Sequence, residues 1–155
     1  MRFTGKTAIV TGASSGMGHA IALDFAKEGA TVIAVARRKE RLEALAKEAE
    51  GMEGKIIPFA GDITSKELAE SMIDFAVKQG GKIDILVNNA GVMDEFKPID
   101  ELTDELWDKV MDTNLNGPVM SMRKAVRVML KQETGGNIIN IASIGGVCGA
   151  RAGVA

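Results

Sequence analysis

Tyrosine is absent from the 155 residues, and cysteine, tryptophan and histidine occur once each. Without a phenol, acid–base work by tyrosine is excluded among these residues. The lone Cys148 excludes an internal disulfide and fits a reducing compartment, so the expected location is cytoplasmic. No His/Cys/Asp cluster has metal-ligand spacing, so no metal is expected. An excess of one charge is also missing. Lys and Arg number 19 against 21 Asp and Glu, a net charge of −2, so no basic field invites nucleic acid. No apolar run approaches about 18 residues, so no membrane span is expected. The opening "MRFTGKTAIV" has no apolar core and no small-residue cleavage site, so no signal peptide is expected. Proline is scarce at 3, whereas glycine is abundant at 18 and clusters near 12–18, 51–54, 80–91 and 135–153. That pattern reads as tight turns at element ends, not as a disordered linker.

The length suits one domain with a real core. Five short β-branched runs are expected to be strands: 7–11, 31–36, 55–60, 84–89 and 137–142. Each is almost continuously apolar, as strands buried on both faces are. Helical patterns separate them. One covers 17–29, with Ala20, Ile21, Phe25 and Ala26 on one face and Gly29 as its stop. A second covers 39–51 through Leu42, Leu45, Ala46 and Ala49. Thr64 with Glu67 predicts a capping box for a third, ending near Gln79. Thr103 is the expected cap of a fourth, and Pro118 sits at the turn opening a fifth that runs to about Gln132. Strand–helix alternation predicts an α/β, Rossmann-like, doubly wound parallel sheet in the order 3-2-1-4-5. A fifth strand with nothing after it leaves an apolar edge, so the chain is expected to continue past Ala155 into further strands and helices.

The stretch "TGASSGMG", Thr11 to Gly18, joins the first strand to the first helix, where phosphates bind. Its G-x-x-x-G-x-G spacing departs from the usual G-x-G-x-x-G fingerprint. Gly12 permits the turn out of the strand. Gly16 clears space where backbone must approach a pyrophosphate, and Gly18 lets the helix pack closely on the sheet. Ser14 and Ser15 add hydroxyls, and Met17 lies between the last two glycines. The plainer alternative is a glycine-rich turn with no ligand.

The turn resembles that of the short-chain dehydrogenase/reductase family, in its compact TGxxxGxG branch. Four further matches follow in the family's order: Asp62 in "AGDIT", "NNAG" at Asn88–Gly91, Asn114 in "DTNLNG" and Ser143 in "INIAS". The resemblance covers the whole chain, implying one NADP-binding Rossmann domain over 1–155, the N-terminal part of a single-domain enzyme. It implies that Asp62 accepts a hydrogen bond from the adenine amino group, with the Ile63 backbone beside it. Of Asn88 and Asn89, one braces the central sheet, while the other and Ala90 border the ribose and Gly91 leaves room there. Read alone, Asp62 is equally a turn former, Ser143 a strand-end cap and Asn114 a helix cap. The resemblance makes Ser143 the hydrogen-bond donor to a substrate carbonyl and Asn114 the holder of a proton-relay water.

Cofactor choice is read at the end of the second strand. An acid there would hold a ribose 2′-hydroxyl and select NAD(H). Ala36 stands in its place, followed by Arg37 and Arg38. A guanidinium grips a 2′-phosphate, so NADP(H) is expected, with Arg37 as the main contact. The two arginines could also simply open a charged helix face.

The implied reaction interconverts a ketone and a secondary alcohol by hydride transfer. Its partners are a small carbonyl or alcohol substrate and other copies of the chain, as a dimer or tetramer through the helix at 118–132. The family's Tyr-x-x-x-Lys pair is not among these residues. A non-catalytic nucleotide-binding module is the alternative. His19 is expected at the surface or the cofactor's edge, Cys148 as a small packing residue, and Met93 and the 120–129 methionines facing substrate or a partner helix.

Overall fold

The computed structural model describes residues 1–146; Cys148 lies outside the described residues. Five parallel strands form one sheet in the order β3-β2-β1-β4-β5. They are β1 (Thr7–Thr11), β2 (Thr31–Ala36), β3 (Lys55–Ala60), β4 (Ile85–Asn88) and β5 (Asn137–Asn140). The helices are α1 (Gly16–Lys27), α2 (Lys39–Glu48), α3 (Lys66–Gly80), α4 (Asp104–Met111) and α5 (Gly117–Met129). The predicted class and strand order are those observed. No helix of the described residues is long and apolar enough to cross a membrane.

Strand alternation sends side chains to two cores, one on each face. Ala8, Val10, Val32 and Ala34 pack with Ala22 and Ala26 of α1 and Leu42 and Leu45 of α2. Ile9, Ile33, Val35 and Leu86 pack on the other face with Met72, Ile73 and Ala76 of α3 and Ala125 and Met129 of α5. The first core is alanine-rich, which brings α1 and its preceding turn close to β1.

Several local expectations are corrected. The strands β3 and β5 are not buried on both faces: Lys55 and Ala60 are exposed, as is Ile139 at 43%. Both strands are sheet edges, of which Pro58, with no amide to donate, is the local sign in β3. The buried face of α1 is Gly18, Ala22, Leu23 and Ala26; Ala20 points to solvent. Ser65, not Thr64, caps α3, its hydroxyl accepting from the Leu68 amide at 3.3 Å. Thr64 is instead drawn to Asp62, whose Oδ1 accepts from both its amide (3.0 Å) and its hydroxyl (2.9 Å). Thr103 does cap α4, accepting from Leu106 at 3.2 Å.

Pro118 does sit in the first turn of a fifth helix, as read, but no break precedes that helix. Between α4 and α5 the backbone stays helical through a π-turn, Asp112–Asn116, with φ of −63° at Met111 and −57° at Gly117. Such turns widen a helix by one residue. Asn116 Nδ2 donates to Asp112 Oδ1 across this one at 2.8 Å.

At the opposite end of the strands, Asp84 is 4% exposed. It accepts from Lys6 Nζ at 2.9 Å and from the Thr7 amide at 2.9 Å, and Lys82 Nζ lies 3.1 Å away. Its backbone carbonyl accepts from the Asn137 amide at 2.8 Å, so one residue joins the starts of β1, β4 and β5.

Candidate functional site

Strand order reverses between β1 and β4, and the crevice past their carboxyl ends is where open α/β sheets bind ligands. Two adjoining clefts open there. The first, of about 300 Å³, is walled by Gly12, Ser14 and Ser15 on one side and by Ala36, Arg37 and Arg38 on another. Ile63, Asn89, Ala90, Gly91, Val92 and Thr113 also line it. The second, of about 590 Å³, brings Asn114 and Ser143 together with Asn88, Asn140, Met93 and Met122. Met17, 65% exposed, borders both.

The turn after β1 is shaped for close approach. Gly12 has φ +69°, and a Cβ there would lie 2.8 Å from Ala90 Cα. A Cβ on Gly18 would lie 2.5 Å from both Asn89 Nδ2 and the Gly12 carbonyl oxygen. Gly16 has φ +57° and no heavy atom within 4 Å of a built Cβ, so the space over it is open. Gly16 and Gly18 shape the turn without lining the cleft. The first turn of α1 holds no acidic residue, and Ser15 spends no side-chain bond on its amides. Ser15 and Met17 at this helix end line the cleft, and the positive end of a helix dipole suits an anion there.

Thr11, to which sequence reasoning attached no role, ties this turn to "NNAG". It is 1% exposed. Its hydroxyl accepts from the Asn89 and Ala90 amides at 3.0 and 3.1 Å and donates to the Val87 carbonyl at 3.3 Å. Its carbonyl accepts from Asn89 Nδ2 at 2.9 Å. Thus Asn89 is wedged between β1 and the glycines, and Asn88 is the bracing asparagine, its Nδ2 donating to Asn140 Oδ1 at 2.9 Å.

Three of the expected residues have neighbours that the sequence did not show. The nearer guanidinium is that of Arg38, which donates to Ser14 Oγ at 3.0 Å and Ser15 Oγ at 3.5 Å; Arg37 lines the cleft beside it. Asp62 stands next to the cleft rather than in its wall, with Oδ1 engaged by Thr64 as in an ordinary Asx-turn. Asn114 lies in the π-turn with both side-chain atoms used: Oδ1 accepts from the Val92 amide and Nδ2 donates to the Val92 carbonyl, each at 2.8 Å. Ser143 lies past the end of β5, Oγ accepting from the Gly145 amide at 3.1 Å. His19 is a third exposed and faces Glu48 at 3.0 Å, away from both clefts.

A glycine cradle that a Cβ would fill, an acid-free helix N-terminus and two arginines at its rim fit a dinucleotide. Comparison with known proteins agrees. The family model described as short chain dehydrogenase matches residues 6–155. A 3beta-hydroxysteroid dehydrogenase of Eggerthella lenta is 40% identical over 151 residues, covering 97% of this chain and 58% of the relative. A metagenomic short-chain oxidoreductase solved with NADP matches with TM-score 0.88 and 33% identity, over 94% of this chain and 66% of its own. NAD+-bound xylitol dehydrogenase matches with TM-score 0.91 and 32% identity, over 97% and 57%. The chain spans under two thirds of the length of two of its curated relatives, 58% of the Eggerthella lenta enzyme and 60% of a 3-oxoacyl-[acyl-carrier-protein] reductase of Thermotoga maritima. It belongs to the short-chain dehydrogenase family of oxidoreductases.

Proposed function

We propose that the protein is an NADP(H)-dependent oxidoreductase that interconverts a ketone and a secondary alcohol. The observation that carries this reading is the shared wall of the two clefts: Asn89, Ala90, Gly91 and Met17 border the arginine-rimmed cradle and the cleft holding Ser143 alike. The bound nicotinamide would supply or accept the hydride. The turn amides and Gly12–Gly18 would hold the pyrophosphate, Asn89, Ala90 and Gly91 the ribose, and Asp62 with Ile63 the adenine. Ser143 would donate to the carbonyl oxygen. Both amide atoms of Asn114 are bonded to Val92. Held there, Asn114 would keep the proton-relay water beside the reacting groups, since each amide atom has a second bonding position. A tyrosine proton donor is not among the 155 residues. Assembly through α5 and a cytoplasmic location belong to the same proposal, the first supported by exposed Leu115, Val119, Val126 and Leu130 along that helical run.

The test is NADPH oxidation with a panel of ketones. Turnover that falls roughly a hundredfold in Ser143→Ala, with NADPH affinity intact, is the expected result. Cofactor binding without turnover of any ketone would favour the nucleotide-binding module instead.

Cofactor preference gives a second test. Because Arg38 reaches both serines and Arg37 lines the same rim, both are expected to grip the 2′-phosphate. Each single Arg→Ala change should weaken NADPH binding roughly tenfold and leave NADH untouched. Equal losses for the two cofactors would refute the assignment to NADP(H).

A further inference from the structure

Every side chain that could act on a substrate must be aimed by something, and Ser143 hangs from the least supported strand. The strand β5 is four residues long, lies at the sheet edge and is mostly exposed. Its lower end is clamped by Gln132, which accepts from the Ile83 amide at 2.8 Å and donates to the Ile83 and Gly135 carbonyls, each at 2.9 Å. Its upper end is tied by the Asn140 side chain, which pairs with the Asn88 amide and whose Nδ2 donates weakly to Met122 Sδ at 3.6 Å. Asn88 is the last residue of β4 and pairs in register with Asn140, the last of β5. Asn88 Nδ2 donates to Asn140 Oδ1 at 2.9 Å, and the Asn88 carbonyl accepts from the Ile141 amide at 2.9 Å. Beyond that point the described residues run through Ser143 without another strand contact.

The pair is an odd choice for stability alone. Among the described residues Asn88 Oδ1 is the one buried side-chain polar atom without a hydrogen-bond partner. A buried unpaired acceptor is a net cost, and replacing two partners by apolar groups of the same shape is often neutral or favourable. What an amide pair provides that an apolar pair does not is a fixed direction. We infer that Asn140 is a positioning residue: through its Oδ1 bond to Asn88 it locks the top of β5 and so aims Ser143 into the second cleft. This rests on the role proposed for Ser143, although its structural half stands alone.

Two readouts separate those halves. In Asn140→Leu, of similar volume, amide hydrogen exchange over 141–146 should rise roughly tenfold or more while β1 and β2 stay protected. Asn140→Asp keeps the acceptor for Asn88 Nδ2 and should exchange like wild type over the same stretch. Unchanged exchange in Asn140→Leu overturns the inference, and so does loosening spread over the whole sheet, which would make Asn140 merely structural. In the full-length enzyme, kcat for ketone reduction in Asn140→Leu should fall roughly tenfold or more with NADPH affinity unchanged, and Asn140→Asp should restore it. Local loosening with wild-type kcat overturns the aiming of Ser143. A wild-type enzyme that reduces no ketone sinks the proposed function, while exchange still decides whether Asn140 locks the strand.

Discussion

Gly18→Ala is expected to cost NADPH binding about a hundredfold. The added Cβ would stand 2.5 Å from the Gly12 carbonyl oxygen and from Asn89 Nδ2. Neither can swing aside. The first is backbone, and the second is held by the Thr11 carbonyl at 2.9 Å while its own amide is held by the Thr11 hydroxyl. Relief must come from moving the whole turn away from "NNAG", the two walls between which the cofactor would lie. Overpacking of this kind costs up to about 3 kcal/mol, close to a hundredfold in affinity. Gly16→Ala is the informative contrast. No heavy atom lies within 4 Å of its built Cβ, and only the left-handed φ of +57° resists the change, at about 1–2 kcal/mol. Calorimetric titration with NADPH should therefore find both variants weakened, but thermal unfolding should find Gly18→Ala shifted further. Wild-type affinity in Gly18→Ala would mean that the turn does not hold the cofactor.

Much of this was legible because the information was local. A buried β-branched run predicts a strand wherever it occurs, and β1, β2 and β4 are buried as read. Glycine spacing in the turn reports close approach because only glycine fits a Cβ-sized gap. Edge position is different. The central residues of β3 and β5 are apolar like those of β4, and their exposure follows from strand order, with Lys55, Pro58 and the two Asn of β5 as its only local signs. Adjacent groups of one chemistry also misled. Thr64 and Ser65 compete for one cap, and Asp62 decides the matter by capturing Thr64. Arg37 and Arg38 are equivalent on paper, and the start of α2 turns Arg38 over the serines. The partners of Asn114 and Asn140 are least legible of all. They sit 22 and 52 residues away in the chain, and the π-turn that presents Asn114 has no propensity signature of its own.

Acid should unfold this fold through Asp84. Burial pushes its carboxyl up, but donation by Lys6, the Thr7 amide and Lys82 outweighs that and holds it below the usual carboxylate range. A carboxyl whose native pKa lies below its unfolded one binds fewer protons when folded. Its contribution is therefore complete above the unfolded value of about 3.9 and is lost as pH falls from there through the native value. At neutral pH, Asp84→Ala leaves the buried Thr7 amide without its acceptor and two lysines without their counter-ion. It should cost roughly 3 kcal/mol, or about 6–12 °C in Tm for a chain of this size. Asp84→Asn keeps an acceptor for Thr7 and should cost less, about 2 kcal/mol. The decisive comparison is stability against pH for wild type and Asp84→Asn. Glu28 and Glu67, also held below the usual range by their hydrogen bonds, titrate with the same sign in both proteins and cancel in the difference. The two curves should lie apart at neutral pH and converge below about pH 4, because protonation does to the wild type what the substitution does to the variant. Parallel curves across that window would show that the carboxylate charge contributes nothing, and that the junction of β1, β4 and β5 is held by backbone pairing alone.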